Sequence, residues 1–290
     1  MRHLGVPSGG AADALSLALA NKLVGNTWDA PALEASLLGP TLRFDRDTAA
    51  GIAGATAALS LNGQEIESHK TLFARKGDIL EIGATRAGAR VYLSVPGGFE
   101  ADELIGSAST NLQAGFGGFA GAALQEGDRV VVAGEGAEPL ATPPEFRPPM
   151  TASWGLRTCV SAETDLLGSA DELFETNWTV DRRADRMGLR LEGPRMTIAS
   201  DGRMPSAGVF PGTIQCPEDG IPYLLSVDAG TVGGYPRIAQ VARVDRHLLG
   251  QLRPGDHLRL LHREPDDAAA EFRAKLDYWR EWLPDIAEIL

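Results

Sequence analysis

Arg75-Lys-Gly-Asp-Ile-Leu-Glu-Ile82 is echoed far along the chain by Arg253-Pro-Gly-Asp-His-Leu-Arg-Leu260. Each octet reads as a turn that delivers the chain into a strand, with glycine accepting the positive φ that a tight turn needs. A third turn of the kind stands at Gly127-Asp128. A second pair, Gly39-Pro-Thr-Leu-Arg-Phe44 and Gly193-Pro-Arg-Met-Thr-Ile198, repeats the relation, so the chain reads as two related lobes. The surrounding composition agrees: 34 glycines and 18 prolines are spread evenly and keep the apolar runs short, as in a many-stranded, mainly β protein with a few helices. Strands are expected at 41–44, 49–53, 57–61, 79–82, 91–95, 129–132, 156–160, 195–198, 213–215, 223–227, 239–244 and 257–261.

Three helices are expected. Residues 13–24 carry Asp13 as a plausible N-cap, Leu15, Leu19 and Leu23 a turn apart, and Gly25-Asn26 as a stop. Residues 244–252 end at Pro254-Gly255, and 266–282 place Phe272, Leu276, Trp279 and Trp282 on one face. Pro139, Pro143, Pro144, Pro148 and Pro149 suit an extended connection. The expected division is therefore a lobe over 1–135, a linker over 136–150, a second lobe over 151–265 and a C-terminal helix over 266–290.

With 290 residues, 43% of them hydrophobic, the chain can bury a sizeable core. A net charge of −12 opposes binding to a phosphate backbone, so nucleic acid is not expected as a partner. No run of about 18 apolar residues suggests a membrane span, no leader peptide is visible, and a cytoplasmic location is expected. Cys159 and Cys216 lack metal-like spacing and read as reduced thiols. There is no phosphate-binding GxxxxGK[ST], no HExxH and no biotin-carrying Met-Lys-Met. His257 and His262 fall on opposite faces of an expected strand, so no metal site is expected.

Four segments carry candidate chemistry. Gly5-Val-Pro-Ser-Gly-Gly-Ala-Ala-Asp13 is a glycine loop entering a helix; the amides of Ser8, Gly9 and Gly10 could hold an anion, or the loop is a tight turn capped by Asp13. Asn111 opens Asn-Leu-Gln-Ala-Gly-Phe-Gly-Gly-Phe-Ala-Gly121, which admits close approach of a ligand or is a surface loop. Asp181-Arg-Arg-Ala-Asp-Arg-Met-Gly188 offers Arg182 and Arg186 for two-point binding of a carboxylate, or a solvated ionic cluster. Asp228-Ala-Gly-Thr-Val-Gly-Gly-Tyr-Pro-Arg237 follows an apolar strand; Asp228 could act as a base, Thr231 as a donor and Arg237 as an anion contact.

Together these motifs resemble the allophanate hydrolase subunit 2 family, through the Gly5–Asp13 loop, Leu17…Ala20-Asn21…Leu23-Val24-Gly25-Asn26, Leu33-Glu34…Leu38-Gly39-Pro40-Thr41, Gly115-Phe-Gly-Gly-Phe…Gly121, Asp185-Arg-Met-Gly-Leu-Arg-Leu-Glu-Gly-Pro194, Gly208-Val-Phe-Pro-Gly-Thr-Ile-Gln215 and Gly233-Gly-Tyr-Pro-Arg-Ile238. The likeness runs to about residue 263. It implies two tandem cyclophilin-like β-barrel lobes. It also implies a partner of the allophanate hydrolase subunit 1 type, equivalent to the B component of a 5-oxoprolinase, and an A component of the LamB/YcsF type. The implied reaction is ATP-dependent opening of 5-oxo-L-proline to L-glutamate, with ATP held by the complex and no biotin attached to this chain. Related roles are the carboxyltransferase part of a biotin-dependent urea carboxylase and a non-catalytic antagonist of a kinase inhibitor. The implied site has Asp228, Asp13 and Tyr235 as catalytic residues, and Ser8, Gly9, Gly10, Asn111, Arg186, Gln215, Thr231, Gly233, Gly234 and Arg237 as substrate or anion contacts. Two departures stand out. Members usually begin some fifteen residues earlier with a strand, whose lack would expose a sheet edge. They also often carry Asp-x-Gln-Thr where this chain has Asp228-Ala-Gly230-Thr231.

Overall fold

The computed structural model describes residues 2–199 and 204–290. They divide into two compact units: a sheet unit of Asp13–Met150 with Trp279–Ile289, and a barrel unit of the described residues up to Ala12, Thr151–Tyr278 and Leu290.

The sheet unit opens with helix α1 (Ala14–Lys22), followed by β1 (Leu33–Ser36), β2 (Thr41–Arg43), β3 (Thr48–Leu61), β4 (Gln64–Glu65), β5 (Thr71–Ala74) and β6 (Ile79–Ser94). β3 and β6 pair antiparallel from Gly51↔Ser94 to Leu61↔Leu80. β1 and β2 pair with β6, and β4 and β5 with β3. Ile52, Leu59, Leu80, Ile82, Val91 and Leu93 form a buried cluster on one face. On the other face α1 comes so close that a Cβ on Gly51 would stand 2.3 Å from the Ala20 carbonyl oxygen, which makes glycine necessary there. Asp13 caps α1: its carboxylate accepts from Ser16 N at 3.1 Å and Ser16 Oγ at 2.5 Å. The Tyr92 hydroxyl accepts from Asp13 N at 2.8 Å and donates to Glu34 at 2.7 Å, fixing where the helix begins.

The barrel unit holds β7 (Ser153–Val160), α2 (Ala170–Glu175), β8 (Asn177–Val180), β9 (Gly188–Glu192), β10 (Ala207–Gly208), β11 (Thr213–Gln215), β12 (Tyr223–Leu225), β13 (Val232–Gly233), β14 (Arg237–Val241), β15 (His257–His262) and most of α3 (Pro265–Trp279). Seven of these strands close a barrel in the order β11-β12-β9-β8-β15-β7-β14. The β7–β15 pair is parallel, and the other pairs are antiparallel. Trp178, Leu156, Leu191, Ile214, Leu224 and Ile238 are fully buried. A Cβ on Gly193 would lie 2.6 Å from the Trp178 ring.

The Gly-Asp turns are three copies of one device. Asp78, Asp128 and Asp256 each accept through Oδ2 from the backbone N–H three residues back, at 2.7, 2.7 and 3.1 Å. The preceding glycines have φ of +92°, +92° and +87°. Two of the turns launch β6 and β15.

Several expectations are corrected. In place of the two expected barrels, among the described residues one barrel closes and the other unit is an open sheet. There β3 and β6 are long enough to carry all the pairing, and the short strands flank them without meeting. Residues 49–53 and 57–61 belong to one strand, because Gly54 at φ +105° and adjoining register shifts bend β3 without ending it. Residues 129–132 and 195–198 make only the isolated bridges Phe99↔Val132 and Leu167↔Ile198. The helix expected at 244–252 is a 3-10 segment, Arg243–Gln251. Its Val244 carbonyl accepts from Lys275, an outside partner that competes with an α-helical ladder, and its Asp245 carboxylate accepts from Arg157. The C-terminal helix is two helices, α3 and α4 (Ile286–Ile289), separated around Pro284. The proline-rich stretch packs within the sheet unit: Lys70 bridges Ala141, and buried Phe146 stands 5.5 Å from the Trp279 ring.

Candidate functional site

Most of the candidate residues fall in the barrel unit, on the segments that border β11. β12 ends at Leu225, opposite Gly188 at the start of β9. The strand therefore delivers Asp228 beside Arg186. The Arg186 guanidinium grips that carboxylate with both ends of one edge, Nε to Oδ2 at 2.7 Å and Nη2 to Oδ1 at 3.1 Å. Nη2 also donates to the Gly10 carbonyl at 2.7 Å, and Gly9 N donates to the Val227 carbonyl at 3.0 Å. Gly9 and Gly10 have φ of +59° and +76°, so the loop turns where an ordinary side chain would resist it. Ser8 Oγ accepts from Arg2 Nη1 at 2.8 Å, and Arg2 also reaches the Val209 carbonyl and lies 5.0 Å over the Phe210 ring.

The next links run through the two-stranded antiparallel pair of β10 and β13. Val209 N donates to the Thr231 carbonyl at 3.1 Å, and Gly233 pairs with Ala207. Gly233 is glycine for a local reason: a Cβ would stand 2.6 Å from Gln215 Nε2. Gln215 is buried and donates through that nitrogen to the Tyr235 carbonyl at 3.0 Å. Gly234 and the Tyr235 ring, 51% exposed, form the outer edge.

Arg237 is held by a residue that no sequence motif marks. Glu163, in the loop after β7, accepts from Arg237 N at 3.0 Å, Nε at 2.8 Å and Nη2 at 2.5 Å, while Glu163 N donates to the Arg237 carbonyl at 3.2 Å. Arg237 Nη1 donates to Gly208 O at 3.3 Å. The hydrogen bond from Arg237 holds the Glu163 carboxyl below the usual carboxylate range, and the carboxylate in turn raises Arg237. The signal that could have found Glu163 is weak: one acid in a polar turn, 74 residues from its partner.

Asp13 and Asn111 lie in the sheet unit. Asp13 is 2% exposed and engaged as the cap of α1. Asn111 closes its own turn, accepting through Oδ1 from Ala114 N at 2.9 Å. Arg182 is exposed, and Asp185 accepts from Met187 N and Gly188 N, so that segment is a turn leading into β9. A shallow cleft of about 450 Å³ lined by His262, Arg263, Glu264, Asp267 and Glu271 contains none of the candidates. Among the described residues no cluster of His, Cys, Asp and Glu could hold a metal ion, and no helix is long and apolar enough to cross a membrane. The assembled group can present directed N–H and hydroxyl donors to ligand oxygens, with Asp228 as the nearby carboxylate.

Known proteins share both the sequence and the fold. Residues 4–262 match the family described as carboxyltransferase domain, subdomain A and B. The chain is 32% identical to the C component of the Escherichia coli 5-oxoprolinase, over 92% of this chain and 86% of that protein. It is also 32% identical to the urea amidolyase of Lachancea kluyveri, where the match covers 93% of this chain but 16% of that much longer protein. In structure it resembles the Kluyveromyces lactis urea amidolyase, with a TM-score of 0.87 and 30% identity over 94% of this chain and 18% of that one. The resemblance drawn from the ordered motifs is borne out: the chain belongs to the carboxyltransferase domain, subdomain A and B, family.

Proposed function

We propose that this protein is the C component of an ATP-dependent 5-oxoprolinase, working with B and A components. The observation that carries the reading is the match along most of the length of a 5-oxoprolinase C component, against less than a fifth of the urea amidolyases. Amide resonance protects a lactam carbonyl, so opening it calls for activation of the oxygen, which phosphorylation by ATP can supply. The site must then meet carbonyl, carboxylate and phosphoryl oxygens. The Ser8–Gly10 segment, Thr231, Gln215, Arg186 and Arg237 are the proposed donors, Asp228 the acid/base and Tyr235 a flanking hydroxyl; Gly233 and Gly234 let the rim approach closely. Asp13 and Asn111 are left to structural work in the sheet unit. ATP is assigned to the assembled complex, which works in the cytoplasm.

The test is to combine the purified chain with its B and A components, 5-oxoproline and ATP, and to measure glutamate and ADP. Glutamate release that needs all three proteins supports the reading, and its absence from the complete set removes it. A second reading, the carboxyltransferase half of a biotin-dependent urea carboxylase, is favoured by the TM-score of 0.87 to the urea amidolyase. It predicts carboxyl transfer from a carboxybiotin carrier to urea and no glutamate.

A further inference from the structure

The two arginines of the candidate site are built alike. Each gives its Nε/Nη2 edge to a carboxylate of its own unit, Arg186 to Asp228 and Arg237 to Glu163. Both pairs are largely shielded, with side-chain exposures of 22% and 18% in the first and 25% and 14% in the second. A bidentate pair of this kind is close to neutral seen from outside, yet Arg237 has more N–H bonds on Nη1 and Nη2 than Glu163 and the Gly208 carbonyl take up. What it offers a ligand is therefore direction rather than net charge.

Glu163 is held apart from Arg237 as well as by it. Thr164 Oγ1 donates to the Ile238 carbonyl at 2.6 Å and accepts from Ser161 N at 2.8 Å, which pins the loop to β14 independently of the carboxylate. The Glu163 backbone is therefore fixed, and the carboxylate is held against Arg237 by its bonds to Arg237 N, Nε and Nη2. An incoming oxygen thus meets donors on Arg237 and, directly behind them, a fixed negative charge. An uncharged carbonyl oxygen takes the donors without penalty; a phosphate gains from the Arg237 charge but loses most of that gain to the Glu163 charge, so the pair holds it far less well than an unpaired arginine would.

We propose that Glu163 is a positioning and specificity-determining residue: it aims the Arg237 donors at an uncharged amide carbonyl oxygen and weakens the binding of phosphate at this edge of the site. The inference rests on Arg237 standing at the ligand rim, as proposed above, and divides the labour there. Arg237 takes the amide, and the phosphoryl groups of ATP are met elsewhere.

The test reads Arg237 itself, through its Nε–H resonance, assigned by its loss in Arg237→Lys. Titrate the full chain with 2-pyrrolidinone and, separately, with inorganic phosphate. In the wild type the lactam shifts the resonance and phosphate acts only at much higher concentration. Glu163→Gln removes the charge but keeps the shape, so the phosphate midpoint falls by about tenfold, the effect of one unit charge several ångströms away near a protein surface, while the lactam midpoint moves little. Glu163→Asp, which retains the charge, keeps the wild-type order. Glu163→Ser is the second charge-removing variant should Glu163→Gln melt early, since the Thr164 bonds remain. Equal phosphate midpoints in the wild type and the charge-removing variants overturn the proposal. So does a resonance that neither probe moves in any variant; that result withdraws Arg237 from the rim but leaves the glutamate assay to decide the activity separately.

Discussion

Replacing Arg186 by lysine isolates what the arginine fork contributes to the glycine loop. The native guanidinium makes at least three hydrogen bonds: two to Asp228, at 2.7 and 3.1 Å, and one to the Gly10 carbonyl at 2.7 Å. A lysine ammonium on a differently shaped stem can keep one of them. Hydrogen bonds to charged groups contribute about 1.5–3 kcal/mol each when buried, and partial exposure reduces that to about 1 kcal/mol here. Two lost bonds give about 2 kcal/mol, or a roughly 30-fold larger population of the open loop. The reporter is the Gly9 amide, which donates to Val227 O at 3.0 Å and exchanges with solvent only when the loop lifts. Native-state hydrogen exchange should show Gly9 exchanging roughly 30-fold faster in Arg186→Lys. The Asn62, Asp78 and Ile82 amides of the sheet unit should be unchanged, and Arg183→Lys should leave Gly9 alone. Gly9 protection within about threefold of wild type would refute the reasoning, since the loop would then be held by something other than Arg186.

Other perturbations test other parts. Gly233→Ala puts a methyl group 2.6 Å from Gln215 Nε2 and ejects that amide from its bond to Tyr235 O; urea unfolding should show a loss of about 1–2 kcal/mol, where an alanine with room to sit would be neutral or stabilising. A Cβ on Gly230 would meet only Val232 O, at 3.5 Å, so Gly230→Gln should change stability by less than about 0.5 kcal/mol and any effect on turnover is a site effect. His69 has its pKa lowered to about 4, chiefly by burial and secondarily by Arg147. The unfolded chain then binds the extra proton first. Denaturation midpoints should fall as the pH drops from about 6.5 towards about 4, with no contribution above that window, and His69→Gln should flatten the slope. Burial pushes the Cys216 thiol up to about 11, so an alkylating reagent at pH 8 should label Cys159 first and reach Cys216 only on unfolding.

Local chemistry makes much of this molecule legible before folding. Asp13 announces α1 because a cap is a contact between neighbours in sequence, and the Gly-Asp turns announce β6 and β15 for the same reason. Legibility fails where the deciding contact is distant. Gly54 looks like a break, yet the Arg90 backbone opposite makes it a bulge inside one long strand. α2 is absent from the expected helices although Ser169-Ala-Asp-Glu172 carries a capping pattern, and Ser169 does accept from Glu172 N at 3.4 Å. β8 and β9 are absent from the expected strands because a charged run separates them and hides the alternation. At the site, the motif residues Arg186, Asp228 and Arg237 can be named from the sequence, but the partner that fixes Arg237 cannot. Glu163 is one acid among many until β14 is laid beside β7.

The parallel seam between β7 and β15 bears on how the barrel comes into being. Ser153 lies against His257 and Thr158 against His262, partners roughly a hundred residues apart, so the last of the seven barrel strands in chain order is the one that shuts the cylinder. Until it emerges, β7 has a bare edge on that side and β8 lacks its outer neighbour. The barrel thus closes only when β15 joins, and chains truncated before residue 257 should present two open strand edges to one another as sites for aggregation.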